Sequence, residues 1–107
     1  MDASWYAERR GLLVVETRAD GLAGYVIGEG LRVGDQLRLA RRWAGEVTKD
    51  EVRTEWTQEP RPIHLTVLAI HAYGQTFEEW DRGMSALVEV EGNRDTIKGH
   101  DVIVTDD

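Results

Sequence analysis

The sequence predicts an all-β fold, a small closed β-barrel, on three observations. Short runs of apolar residues follow the period-two pattern of half-buried strands. Turn signals such as Asp20-Gly21 separate them. Glycines at 24, 28, 30 and 34 are too dense for a helix and suggest a bent strand followed by a turn. A chain of 107 residues has room for one domain, so residues 1–107 are read as a single barrel.

In chain order, Leu12 to Glu16 reads as a short buried strand that enters the Asp-Gly turn. After the glycine-rich bend, QLRLARRW alternates Leu37 and Leu39 with Gln36, Arg38 and Ala40 as a ladder strand. Residues 44–62 are charged and end in Glu59-Pro60-Arg61-Pro62, which reads as an inserted excursion that cannot continue a sheet interior. The Thr48/Glu51 spacing, with Val52 and Trp56 four apart, predicts a helical turn inside it. Ile63 to Tyr73 is nearly continuous in apolar residues and predicts a central strand covered on both faces. Thr76 and Glu79 repeat the capping spacing, so one or two helical turns are expected over QTFEEWDRG, with Phe77 and Trp80 on one face and Gly83 closing the unit. Met84 to Glu91 and Asp101 to Thr105 complete the strands. No internal repeat stands out.

Three segments, in this order, resemble the β-barrel second domain of elongation factor Tu and other translational GTPases. They are GYVIGEGLRVGDQLRL, through Leu31 to Asp35; TVLAIHAYGQTFEEWDRGMSALVEVEG, through Ile70, Tyr73, Phe77, Gly83, Val88 and Gly92; and DTIKGHDVI, through Ile97, Lys98, Gly99 and Val102. Together they cover roughly three quarters of the chain. The resemblance implies a translation-protein-like barrel standing without a GTPase domain. Elongation factor Tu presents an acidic residue and, three positions later, an arginine toward the aminoacylated end of transfer RNA, where this chain has His71 and Gly74. Recognition of aminoacyl-transfer RNA is therefore not carried over. The sequence also lacks a phosphate loop and a guanine-reading Asn-Lys-x-Asp, so GTP is not expected.

The net charge of -7 opposes sequence-independent binding to phosphate. No run reaches the roughly 18 to 20 apolar residues of a membrane span, and the start of the chain lacks the apolar core of a signal peptide, so a cytoplasmic protein is expected. The absence of cysteine removes disulfides and thiolate sites. Ser4 and Ser85 lack a nucleophile motif, and His64 and His71, seven apart on one strand, are expected on opposite faces and unable to share a metal ion. Glu89 and Glu91 share a face that reads as solvated. No catalytic, cofactor or metal residues are assigned, and the chain reads as a non-catalytic binding module of unidentified partner.

The candidate partner-binding residues are Arg38, Arg41, Arg42, Trp43, Trp56, His71 and Tyr73. The favoured partner is a protein with a basic surface, met by the insert and the His71/Tyr73 rim; an acidic inhibitor of a basic enzyme, of the immunity type, is one version. The alternative is a translation-associated module that contacts ribosomal or transfer RNA through Arg38, Arg41, Arg42 and Trp43.

Overall fold

The computed structural model describes residues 3–47 and 52–106. After one 3-10 turn (Ala3–Trp5) the chain forms β1 (Arg10–Arg18), β2 (Gly21–Gly28), β3 (Leu31–Arg32), β4 (Gln36–Val47), β5 (Val52–Trp56), β6 (Arg61–Ala72), β7 (Gln75–Phe77), β8 (Glu79–Trp80), β9 (Ser85–Gly92) and β10 (Asp101–Val104). Antiparallel pairing runs β4-β10-β1-β2-β9-β6, and a β4–β6 ladder closes the ring into a six-strand barrel. The predicted fold class is thus observed. β5 extends the sheet from β4, β7 folds onto β6, and β3 pairs with β8. Leu12, Val14, Leu22, Val26, Leu37, Leu65, Val67, Ile70, Val88 and Ile103 fill the interior, all at most 1% exposed.

The ring divides into two halves of the same build. In each, an antiparallel strand pair (β1–β2 or β6–β9) is followed along the chain by a tight turn that starts a third strand (β4 or β10). The turns are Arg32-Val-Gly-Asp35 and Lys98-Gly-His-Asp101. In both, the Asp N–H donates to the first residue's carbonyl at 3.1 Å, and the Asp carboxylate accepts from that residue's N–H at 2.8 and 2.9 Å. The third turn residue has positive φ in each, Gly34 at 93° and His100 at 75°, as a type II turn requires. Its N–H donates to Val67 or Val14, each next to a register shift in its strand, so turn and bulge lock together twice. The repeat escapes the sequence because geometry is kept while residues differ: a glycine supplies the positive φ in one half and a histidine in the other.

Each half also closes one end of the barrel with a buried aspartate. Arg10, which alternates with core Leu12 and Val14, donates from Nε to both Asp35 oxygens at 3.0 Å. Asp101, in line with core Ile103, is fully buried. It accepts from Arg42 Nε at 3.1 Å, Arg42 Nη2 at 3.2 Å and Arg61 Nη2 at 2.8 Å. Burial opposes the Asp101 charge, but the bonds from Arg61, Arg42 and the Lys98 N–H outweigh it and hold its carboxyl below the usual carboxylate range.

Several expectations are corrected. QTFEEWDRG contains no helical turn: Tyr73-Gly74 is a two-residue hairpin turn, and the chain stays extended so that Phe77 pairs with Ile70 and Trp80 with Leu31. Phe77 and Trp80 do meet, ring centroids 4.2 Å apart. In the insert, Thr48 and Glu51 lie outside the described residues, while Val52–Trp56 is strand β5 paired to β4 and not helix. Pro62 lies within β6 opposite Leu39, near the strand's start, where a missing N–H is tolerated. Burial on both faces belongs to β10 rather than to β6, whose Leu68 is 47% exposed. That leucine sits at the β6 register shift, which reverses the alternation: Leu65 and Val67 point inward before it and Ile70 after it. His64 and His71 consequently both lie on the outer side, not on opposite faces. Among the described residues no helix is long and apolar enough to cross a membrane.

Removing one partner of a buried ion pair strands the other, at a cost of about 3–5 kcal/mol. Asp101→Ala is therefore expected to lower the denaturant-derived stability by that order, whereas reversal of exposed Glu91 changes it little. Because the folded carboxyl is depressed, its contribution is complete above the unfolded value of about 3.9 and disappears as pH falls through the folded value. The wild-type acid-unfolding curve should show this limb and the Asp101→Asn curve should lack it.

Candidate protein-binding face

The basic and aromatic patch Arg38, Arg41, Arg42 and Trp43 is not one surface. Strand alternation turns Arg42 inward to Asp101, while Arg41 and Trp43 face out. Arg41 lies over the Trp56 ring at 4.7 Å and the Trp5 ring at 5.6 Å, and donates from Nε to the Gln58 carbonyl at 2.8 Å. Trp5 and Trp56 meet edge to face at 5.2 Å, and Arg9 lies 5.5 Å from Trp5. Trp43 stacks on His100, centroids 4.6 Å apart and planes 9° from parallel, and its indole N–H has no partner among the described residues. Arg38 is exposed at the β4 register shift, in a different groove that Arg10, Asp35 and Thr105 also line. The cations that a phosphate backbone would need are thus mostly committed within the fold.

His71 and Tyr73 lie at the other end of β6 from the insert, with the strand's twelve residues between Trp56 and Tyr73. They line a shallow outer groove of about 400 Å³. Its floor is small, being Ala23 and Gly24 of β2 with Ser85 and Ala86 of β9, and its walls are Tyr25 and Tyr73, 50% and 75% exposed. Gly24 cannot carry a side chain, because a Cβ there would collide with the Leu13 carbonyl. Tyr73 has φ 51° at the first turn position, where Asn, Asp or Gly is usual. Holding a tyrosine there costs about 1–2 kcal/mol, and the ring stands against Trp80 at 6.1 Å. His71 Nε2 is 3.5 Å from Glu89, an ion pair only when the imidazole is protonated.

Sequence reasoning missed Tyr25 and Tyr6. A second groove, between Tyr6, Ile27 and Arg82, shares Tyr25 with the first, so all three tyrosines of the chain line one path over the outer face. Tyr6 also meets Trp56 at 6.3 Å, which joins that path to the β4–β5 hairpin. The signal available in the sequence was Tyr25, a large aromatic on the polar phase of a glycine-rich strand. Among the described residues no group of three or more His, Asp or Glu side chains is placed to hold a metal ion.

The chain matches no protein-family model and no curated protein.

Arg41→Ala should loosen the ring cluster, lowering stability by about 1 kcal/mol and raising acrylamide quenching of Trp5 and Trp56. An unchanged melt and unchanged quenching would mean that the cluster does not depend on this cation.

Proposed function

We propose that this barrel is a non-catalytic module that binds a protein, using the aromatic path from Trp56 through Tyr6 and Tyr25 to Tyr73. The observation that carries the reading is Tyr73, a bulky side chain three-quarters exposed on a strained backbone. Such strain persists where surroundings enforce it and clusters at functional positions. Exposed tyrosines offer rigid contact area with a polar tip, a composition that suits protein interfaces. The net charge of -7 favours a basic partner surface, as an acidic inhibitor of the immunity type would have, in the cytoplasm. On this reading the barrel is the second-domain scaffold of translational GTPases, put to another use. The alternative RNA contact through Arg38, Arg41, Arg42 and Trp43 draws less support, since Arg42 is held by Asp101 and Arg41 by the tryptophans.

The test is affinity capture from native lysate with the wild-type chain and a Tyr25→Ala/Tyr73→Gly variant, at low and high salt, with and without ribonuclease. The expected result is a protein partner that survives ribonuclease and is lost by the variant. Capture that is abolished by ribonuclease, or indifferent to both tyrosines, would contradict the reading.

A further inference from the structure

Resting on that reading, we infer that the tyrosine path takes an extended, proline-rich peptide with basic flanking residues. Four features of the face select this ligand. The path lies on the outer face of β2 and β9, both of which already have a hydrogen-bonded neighbour on each side, so a guest strand cannot pair with them. The groove between Tyr25 and Tyr73 has a floor of glycine, alanine and serine, which is narrow and shallow for the apolar ridge of a helix. It does fit a ligand whose compact apolar rings lie against aromatic walls.

A polyproline II segment supplies such rings. It carries no internal hydrogen bonds, so its carbonyls are free to accept from tyrosine hydroxyls. The hydroxyls of Tyr6, Tyr25 and Tyr73 have no partner among the described residues. Its stiffness also limits the entropy lost on binding, which matters for a face with little enclosed volume.

Charge gives the direction of the ligand. Glu16, beside Val15 and Arg18 of the groove, and Glu89, beside His71, are 54% and 51% exposed at the Tyr73 half of the path. Among the described residues each has one cationic partner, Arg18 and His71 respectively, and so retains carboxylate valence for a lysine or arginine of the peptide. Arg82 borders the other half, near Tyr6, where it can donate to ligand carbonyls. The basic flank therefore lies over the Tyr73 half.

The test is a ¹⁵N-detected titration of the full chain with three probes: a proline-rich decapeptide ending in two lysines, the same peptide with glycine for proline, and a thymidine oligonucleotide. The expected result is saturable shifts at Tyr25, Tyr73 and Leu87 with the proline peptide, and binding at least about tenfold weaker with the glycine peptide. Tyr73→Gly relieves the turn strain and keeps the fold, and should weaken the proline peptide by a similar factor; Tyr25→Phe tests the hydroxyl alone. Equal binding of the glycine peptide, shifts outside the groove, or tighter binding of the oligonucleotide would overturn the inference. Loss of partner capture by the tyrosine variant would still stand in that case, so the ligand class and the protein-binding reading fail separately.

Discussion

Two buried aspartates decide where everything else in this molecule can go. A six-strand barrel has an interior that its own side chains must fill, and its two ends are open to water unless something covers them. Asp35 and Asp101 cover them from inside, each fixed by its own turn and each neutralised by arginines that alternate with core residues. A lone buried carboxylate would be prohibitively unstable, whereas the arginines keep part of their side chains in water. The pairs are therefore obligatory, and they set the register of β4 and β10 against their neighbours. The twin turns and bulges follow from the same arrangement, since each turn must present its aspartate to the barrel end.

This closure has a consequence on the outside. Arg42 and Arg61 are bound to buried Asp101, and Arg41 is held against Trp5 and Trp56. The outer surface of β2, β9 and the end of β6, by contrast, has small residues as its floor and tyrosines as its walls.

The period-two runs made the barrel legible because strand alternation is written directly into Ala86, Val88 and Val90; in β4 a register shift between Leu37 and Leu39 breaks it, so that Leu37 and Ala40 are buried and Leu39 is not. The capping spacings misled because Thr-x-x-Glu costs the sequence nothing to contain, while the Tyr73-Gly74 turn and the Trp80–Leu31 pairing hold the same residues extended. A bulge cannot be seen in a string of apolar residues, yet one at Leu68 reversed the facing of His71. His71 and Tyr73 stand at the end of the long apolar run, so their place at one end of β6 could be read from the sequence. Tyr25 was not, because its role depends on which strand lies beside β2. Arg42 was misread for a related reason: a cluster of arginines in sequence is split by the pleat, and only the structure shows Asp101 opposite one of them.

The claim that the basic patch is consumed by the fold can be tested directly by NMR observation of the arginine Nε–H signals with and without single-stranded RNA. Arg10, Arg41 and Arg42 are expected to give persistent, slowly exchanging signals that RNA leaves unmoved, while that of exposed Arg38 exchanges rapidly. Fast exchange at Arg41 and Arg42, with both signals shifting on addition of RNA, would contradict it.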